Sequence, residues 1–305
     1  MDGEFELKGR RVLVTGASSG IGRDLAKALA AQGMRVAVVA RRADRLEQLA
    51  DEVERESAER PLVLVADLSE RGGAAGIAAD VREAWGGVDV LVNNAGSSVG
   101  GTTWAVGDGE VARRAFEVDF WAPLALIGAF VPDLRRRGEG AVVNVTSLRQ
   151  AFSWPMFGHS SAAKAALAIS TETLRLELMS YGVHVVEVVP GPIDTPSQGP
   201  TALIRGFTEA VHDRLGVASS GQLAEMIVDA IRHRTDRVFC PEETTRAVYE
   251  SPVAWRARIA DDVRRTYAVD AALPDDIVDG LVVGADDPMV TAARDGWERE
   301  HRSAT

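Results

Sequence analysis

The segment of residues 144–164, NVTSLRQAFSWPMFGHSSAAK, contains the side chains best suited to chemistry. It begins as an apolar strand, crosses a loop that starts at Ser147, and enters a helix that carries His159, Ser160 and Lys164. Hydroxyl, imidazole and ammonium groups that lie close together can polarise or deprotonate a bound molecule. The segment is therefore the first candidate for an active site.

Helix geometry separates two of these residues. Adjacent helical residues point about 100° apart, so His159 is expected to turn away if Ser160 faces the site. His159 then packs against a loop or lies at the surface, and direct catalysis is its alternative role. Ser160 could instead be the N-cap of the helix, since serine is a favoured cap. Lys164 could be a surface residue, although the chain has only three lysines.

A glycine-rich turn lies near the beginning of the chain. An apolar strand, Arg11–Val14, leads into the turn, and an amphipathic helix follows it as far as Ala31. Such a turn lets the backbone approach a pyrophosphate, and a helix N-terminus favours that charge. An ordinary tight turn is the alternative. The residues predicted to hold the dinucleotide here are Gly16, Ser18, Ser19, Gly20, Ile21 and Gly22.

The end of the second strand, Val36–Ala40, carries two arginines, Arg41 and Arg42. An acidic residue at this place would bind a ribose 2′-hydroxyl, whereas arginine suits a 2′-phosphate. The sequence therefore predicts NADP(H), preferred over NAD, as the cofactor. The alternative is that both arginines are solvated surface charges.

The carboxyl ends of three further strands add candidate cofactor-binding residues. These strands are Leu62–Val65, Asp89–Val92 and Val183–Val189, and ligands of open α/β sheets bind at this edge. Asp67 could instead only cap a helix, and the Asn-Asn-Ala-Gly turn could be purely structural. The candidates are Asp67, Leu68, Asn93, Ala95, Gly96, Pro190, Gly191, Ile193 and Thr195.

The regular alternation of strands and helices predicts an α/β fold with a Rossmann-type, doubly wound parallel sheet. A long helix over Glu110–Arg137 should bend at Pro123. Residues 201–216 could form a helical lid. We expect a dinucleotide-binding and catalytic domain over residues 1–240, and a helical appendage over 241–305 that caps the pocket or contacts another subunit.

Composition excludes several classes of partner. The net charge of −11 argues against nucleic acid, whose phosphates would be repelled. The beginning of the chain lacks an apolar signal sequence, and no apolar window approaches the ~20 residues of a membrane span. The single cysteine, Cys240, fits a reducing cytoplasm. We expect a small-molecule substrate, no membrane and no metal.

Taken together, these motifs resemble the short-chain dehydrogenase/reductase family of the classical type. The glycine loop, the Asn-Asn-Ala-Gly turn, Ser147 and the Pro-Gly-x-x-x-Thr turn occur in the family's order over residues 8–240. The resemblance implies a sheet of about seven strands. It also implies a homodimer or homotetramer built through the helices predicted at Glu110–Arg137 and Ser160–Tyr181.

The family's chemistry uses an asparagine, a serine, a tyrosine and a lysine. Ser147 matches the serine, which bonds the substrate oxygen, and Lys164 matches the lysine, which holds the nicotinamide ribose. The proton-donating tyrosine should lie four residues before the lysine, where this chain has Ser160. Asp119 stands at the asparagine position and could pair with Lys164. The four candidate catalytic residues are therefore Ser147, Ser160, Lys164 and Asp119, two of them altered.

Large apolar side chains near the same edge predict a hydrophobic substrate, including polycyclic ones. Trp104 and Trp121 are further aromatics of this group, in which each large side chain could instead be ordinary core, and we expect this for Trp121. The predicted substrate pocket consists of Trp154, Met156, Phe157 and His159.

Three functions remain open at this point. The first is an NADP(H)-dependent oxidoreductase that transfers hydride to or from a carbonyl, iminium or enone compound by a proton path without tyrosine. The second is a redox-silent cyclase, dehydratase or isomerase that uses Ser147, Asp119 and Lys164. The third is a non-catalytic NADP-binding protein, since a fold alone does not fix a function.

Overall fold

The computed structural model describes residues 3–97, 99–152, 155–196 and 212–258, together with residues 291 and 295. Seven parallel strands form one sheet in the order β3-β2-β1-β4-β5-β6-β9, and two short strands, β7 and β8, pair beside it. This topology confirms the predicted Rossmann-type sheet. The strands are β1 Arg11–Thr15, β2 Arg35–Ala40, β3 Leu62–Val65, β4 Val90–Asn93, β5 Gly140–Val145, β6 Val183–Pro190, β7 Ile193–Asp194, β8 Ala218–Ser219 and β9 Arg237–Cys240.

The helices cover both faces of the sheet. They are α1 Gly20–Ala31, α2 Ala43–Ser57, α3 Gly73–Trp85, α4 Thr103–Val106, α5 Glu110–Phe116, α6 Ala122–Arg137, α7 Gly158–Leu178, α8 Ser220–His233 and α9 Glu242–Glu250. A π-helical turn, Glu117–Trp121, joins α5 to α6, and a 3₁₀ turn, Leu148–Gln150, follows β5.

Strand β1 illustrates why the sheet is almost entirely apolar. Val12 and Val14 belong to the core layer that also contains α1 and α8, whereas Leu13 points into the opposite layer with α3 and α6. All three residues are fully buried. A parallel strand with helices on both faces has no solvent side, so continuous apolar runs replace the usual alternation.

The long helix predicted over Glu110–Arg137 is interrupted where Pro123 enters it. Pro123 has no N–H to donate to the carbonyl of Asp119 four residues earlier, so the α-helical pattern cannot continue through this point. The chain instead forms the π-helical turn, in which the N–H of Ala122 bonds the carbonyl of Glu117. The structure thus shows a change of helix type before Pro123, where the sequence predicted a bend, and the π-helical turn contains the buried Asp119.

One segment departs from the expectation that none is apolar enough for a membrane span. Residues Glu110–Arg137 meet that criterion by length and composition. Leu126, Phe130 and Leu134 from this segment are enclosed in the same core layer as Leu13. Packing against the sheet accounts for these three apolar side chains, and 33% of the most apolar window is buried inside the protein.

The first part of the predicted appendage packs on the end of the sheet. The ring of Tyr249 in α9 meets the edge of Phe239 in β9, with ring centroids 5.2 Å apart. Val248 is fully buried in a small core cluster with Phe157, and Trp255 packs against this cluster. Most of the appendage, and residues 201–211 of the predicted lid, lie outside the described residues.

Candidate active site

The glycine loop between β1 and α1 has a backbone that side chains would obstruct. Gly16 and Gly20 have φ angles of +70° and +55°, which strongly favour glycine. A Cβ added at Gly22 would lie 2.6 Å from the Gly16 carbonyl oxygen, and one added at Gly20 would lie 3.2 Å from the Thr195 methyl group. The loop is therefore a close-fitting cradle at the N-terminus of α1, suited to a pyrophosphate.

The Asn-Asn-Ala-Gly turn holds this cradle from the neighbouring strand. The Thr15 hydroxyl accepts hydrogen bonds from the backbone N–H groups of Asn94 and Ala95 and donates one to the Val92 carbonyl. The side chain of Asn94 donates to the Thr15 carbonyl at 2.8 Å. Two loops at the carboxyl edge of the sheet thus form one unit, which isolated sequence motifs do not reveal.

Asn93 has a different environment from its neighbour. Its amide donates to Asn144, which donates in turn to Thr171, and all three side chains are buried. The Asn93 side chain is therefore used inside the protein, between β4, β5 and α7. Any contact between Asn93 and a cofactor would have to come from its backbone.

The two arginines after β2 point to different partners. Arg42 donates from one guanidinium nitrogen to the hydroxyls of Ser18 and Ser19, at 2.9 Å each. Arg41 is exposed, and its guanidinium lies 3.9 Å from the Asp67 carboxylate. Arg42 thus joins the end of β2 to the phosphate cradle, whereas Arg41 faces the end of β3.

Asp67 closes the turn that follows β3. Its carboxylate accepts the backbone N–H of Ser69, and Arg114 lies 3.6 Å away. Burial opposes ionisation, but these hydrogen bonds and nearby arginines lower the pKa of Asp67 overall. Helix α3 starts only at Gly73, so Asp67 caps a turn and not the helix. The side chain of Leu68 is buried in the core.

Ser147 stands directly at the end of β5 and begins the 3₁₀ turn. Its side-chain oxygen accepts the backbone N–H of Arg149 at 3.2 Å, so it does act as a cap. Among the described residues, the hydroxyl group of Ser147 donates its hydrogen to no acceptor, and the residue is partly exposed. Ser147 can therefore donate a hydrogen bond to a ligand while capping the turn.

Lys164 and Asp119 form a buried ion pair. The Lys164 ammonium lies 3.0 Å from the Asp119 carboxylate and donates a second bond to the Val145 carbonyl at 3.0 Å. The backbone N–H of Ser97 also approaches Asp119, at 3.2 Å. The predicted pairing is confirmed, and the interpretation of Lys164 as a surface lysine is wrong. Burial raises the pKa of Asp119, although Lys164 opposes this shift.

Ser160 lies on α7 four residues before Lys164, and its hydroxyl already makes a hydrogen bond inside the protein. It accepts the backbone N–H of Val99 at 2.8 Å, and only 1% of the residue is exposed. The N-cap interpretation is wrong because α7 begins two residues earlier, with Phe157 as N-cap. Ser160 anchors the loop after β4, an arrangement that argues against a catalytic role.

The predicted pocket residues have mixed positions. The ring of His159 bonds the Gly107 carbonyl at 2.7 Å, as expected for packing against a loop. Met156 and Phe157 are buried in the cluster that also contains Leu148, and Trp154 lies outside the described residues. Trp121 was expected in the core but is 54% exposed, because the π-helical turn directs it outward.

Arg149, which was not predicted as a site residue, lies beside the ion pair. Its guanidinium stacks on the Phe157 ring at 5.1 Å, and its charge interacts with Asp119. Burial lowers the pKa of Arg149. The available sequence signal was an arginine two positions after Ser147, the serine at the strand end. Sequence reasoning missed it because the family's motif contains no arginine there.

The comparison with known families agrees with this geometry. Residues 10–203 match the family model described as short chain dehydrogenase. The chain belongs to the short-chain dehydrogenase/reductase family. It is therefore related to oxidoreductases whose fold binds a nicotinamide cofactor, and the cradle around Gly16, Gly20 and Gly22 fits such a group.

Several members of the family are similar over most of this chain. Dehydrogenase/reductase SDR family member 7B of Bos taurus is 31% identical, over 78% of this chain and 75% of the relative. A fatty acyl-CoA reductase of Mycobacterium tuberculosis is 32% identical, over 76% and 77% respectively. The crystal structure of L-sorbose reductase from Gluconobacter frateurii, complexed with NADPH and L-sorbose, is 29% identical with a TM-score of 0.71, covering 78% of this chain and 97% of that chain.

Proposed function

We propose that this short-chain dehydrogenase is an NADP(H)-dependent oxidoreductase that acts on a hydrophobic carbonyl, iminium or enone compound, polycyclic ones included. When bound, the nicotinamide supplies or accepts the hydride. The observation that carries the proposal is the bridge from Arg42 to Ser18 and Ser19, which joins a cation to the phosphate cradle.

The cofactor preference rests on charge at the end of β2. Arg42 and the two serine hydroxyls together offer donors for a 2′-phosphate, and the two residues directly after Ala40 are arginines where an acidic residue would bind a 2′-hydroxyl. Charge-assisted hydrogen bonds of this kind favour a phosphate over a hydroxyl. The L-sorbose reductase structure, which holds NADPH, is a relative with the proposed cofactor.

Lys164 retains one function that the family assigns to its lysine. An ammonium has three hydrogens, of which Asp119 and the Val145 carbonyl take two. The third can bond a ribose hydroxyl. Because Asp119 neutralises the ammonium, Lys164 binds the cofactor without adding net charge to the site.

The proton path proposed here does not use Ser160, because the Ser160 hydroxyl accepts the backbone N–H of Val99. Ser147 has a hydroxyl hydrogen with no acceptor in the described part of the chain, so it can bond the substrate oxygen. A serine hydroxyl is too weak an acid to replace a phenol alone. Water or the substrate itself then delivers the proton, and an iminium or activated enone needs none at the point of hydride transfer.

The hydrophobic substrate class is supported by the cluster next to Ser147. Leu148, Phe152, Met156 and Phe157 are buried there, with α9 packed behind them. Apolar surroundings with a few convergent polar groups are typical of small-molecule sites.

A redox-silent reaction is the second candidate, and the buried Asp119 favours it. Burial raises the pKa of this carboxyl, which makes it a better proton carrier than an ordinary aspartate. Asp119, Lys164 and Ser147 would then polarise or deprotonate the substrate, and the nucleotide would have a structural role only.

One experiment tests both candidates. The dissociation constants of NADPH and NADH are measured by calorimetry, and absorbance at 340 nm is then followed with hydrophobic ketones, iminiums and enones. We expect NADPH to bind about 10–100-fold more tightly, the equivalent of one or two charge-assisted hydrogen bonds. Equal affinities would contradict the cofactor preference. Turnover without any absorbance change or NADPH requirement would favour the redox-silent reaction.

Two variants assign the preference to a residue. Arg42→Ala should weaken NADPH binding by about tenfold or more while leaving NADH binding nearly unchanged. Arg55→Ala is the matched control, because Arg55 lies on α2, which Arg42 precedes as N-cap, and among the described residues it bonds only the Asp51 carbonyl. If both variants bind NADPH equally well, Arg42 does not read the 2′-phosphate.

We also propose that the protein is a homodimer or homotetramer, as members of this family often are. Ile169 and Leu176 on α7 are exposed and lie seven residues apart, so they share one helix face. Trp121, beside α6, is exposed as well. Sedimentation velocity of the protein should give a dimer or tetramer, and Ile169→Glu should shift it toward the monomer. A monomeric wild type would refute this proposal.

A further inference from the structure

The 3₁₀ turn after Ser147 brings an unexpected cation into the active site. Arg149 follows the serine by two positions, and its backbone N–H is fixed by the Ser147 side chain. Its guanidinium lies over the ring of Phe157, the N-cap residue of α7, with 5.1 Å from the central carbon to the ring centroid. The turn and the ring together hold the cation at the site.

The guanidinium lacks a polar partner in the described part of the chain. Asp119 is the carboxylate that influences it, but this residue already pairs with Lys164 at 3.0 Å. Gln150, the next residue in the sequence, donates its side-chain amide to Glu187 and not to a group beside Arg149. Five N–H donors of Arg149 are thus available on a residue that remains partly accessible.

The local charges do not balance. Lys164 and Arg149 contribute two positive charges, whereas Asp119 contributes one negative charge. Burial disfavours the charged form of Arg149 and lowers its pKa, while the Asp119 charge opposes this shift. A guanidinium nevertheless stays protonated in proteins, so an anion is the group that would relieve this excess charge.

We infer that Arg149 is an anion-binding, specificity-determining residue of the active site, and that the substrate carries a carboxylate close to the carbon that reacts. A planar guanidinium suits a carboxylate because two parallel hydrogen bonds can form. The substrate is then amphipathic, with the apolar part that the proposed function gives it and a carboxylate on Arg149. This inference deepens the proposed function and depends on it for the position of the reacting carbon.

The test measures ligand binding to the NADP⁺-loaded protein, without turnover. Calorimetry compares carboxylates with their primary amides: acetate, 4-phenylbutanoate and 2-naphthylacetate, each against its amide. We expect at least one carboxylate to bind about 10–100-fold more tightly than its amide, as for a charge-assisted bond. Absence of carboxylate binding below about 10 mM, or equal binding of both members of every pair, overturns the inference.

Matched variants assign the effect to Arg149. Arg149→Met keeps the apolar stem and should remove the carboxylate preference, whereas Arg149→Lys keeps the charge and should retain part of it. Arg256→Met is the control, because Arg256 is an exposed arginine that donates to the nearby Ala151 carbonyl. If Arg149→Met keeps the preference, or if Arg256→Met also loses it, the inference is wrong.

A separate titration keeps this result distinct from the proposed function. NADPH binding to Arg149→Met should equal that of the wild type. A loss of more than about tenfold would mean that Arg149 serves the cofactor and would overturn the inference. If the wild type fails to bind NADP⁺ at all, the proposed function fails, and the same carboxylate titration on the nucleotide-free protein still decides the role of Arg149.

Discussion

The ammonium of Lys164 lies 3.0 Å from a carboxylate oxygen of Asp119, and Asp119 is completely buried. Asp119 is also the carboxylate whose charge acts on Arg149. Because Asp119 pairs with Lys164, the nearby Arg149 charge is left without a carboxylate of its own. The Asp119–Lys164 pair therefore determines the charge balance of the site.

Removal of Lys164 should make stability depend on pH. Burial raises the pKa of Asp119 in the folded state above that of the unfolded chain, so unfolding releases a proton and rising pH favours unfolding. Lys164→Met removes the cation that opposes this shift. We expect the variant to lose about 3–5 kcal/mol of the free energy of unfolding at pH 8, and less at pH 5. Urea unfolding at the two pH values measures this difference.

A double-mutant cycle supplies the control for this pair. Asp119→Asn removes the negative charge and keeps an acceptor for Lys164. Combined with Lys164→Met, it should recover much of the stability lost by Lys164→Met, since no buried charge remains unpaired. A Lys164→Met variant that loses the same stability at both pH values would contradict the ion-pair interpretation.

Ser160→Ala should affect stability more than chemistry. The variant leaves the buried N–H of Val99 without its acceptor, which costs about 1–3 kcal/mol. We expect an unchanged shape of the pH–rate profile, because Ser160 donates no proton to the substrate. Thr173→Ala is the matched control, since this exposed hydroxyl on the same helix bonds, within the part of the chain that the structure describes, only the Ile169 carbonyl. Its loss should change the free energy of unfolding by less than about 0.5 kcal/mol. Loss of one limb of the profile would restore Ser160 as a catalytic residue.

Alanine at Gly22 should damage the cofactor cradle. The added Cβ would meet the Gly16 carbonyl oxygen at 2.6 Å, so the loop must shift. We expect NADPH binding to weaken by about tenfold or more, since a displacement of ~1 Å can cost about a hundredfold in a positioned site. Gly76→Ala in α3 is the control, because nothing lies within 4 Å of its added Cβ and alanine favours helices. Equal NADPH affinities of the two variants would refute the close fit.

Cys240 should be unreactive in the folded protein. Burial raises the pKa of its thiol to about 11, so the thiolate fraction at pH 8 is about a hundredfold lower than for an ordinary thiol. Ellman's reagent should therefore not react with the native protein within minutes. It should detect one thiol equivalent in ~6 M guanidinium chloride, a concentration that unfolds most domains. Immediate reaction of the native protein would mean that the end of β9 is open to solvent.

The sequence was sufficient for the framework of this protein. Glycines at Gly16, Gly20 and Gly22 and continuous apolar strands are local requirements of a tight turn and a covered parallel sheet, so they can be read without knowledge of distant contacts. The same local patterns identified the family. The pairing of Asp119 with Lys164 was also predictable, since opposite charges at two known positions of one site attract.

Only the tertiary structure decided how the remaining side chains are used. The hydroxyl of Ser160 bonds Val99, and the guanidinium of Arg149 stacks on Phe157 beside Asp119. The π-helical turn exposes Trp121 and buries Asp119. Each of these relations joins residues from different loops and helices, and side-chain direction there is set by packing between elements. Spacing along the sequence does not specify the direction of a side chain at such places, because that direction depends on contacts that form only in the folded protein.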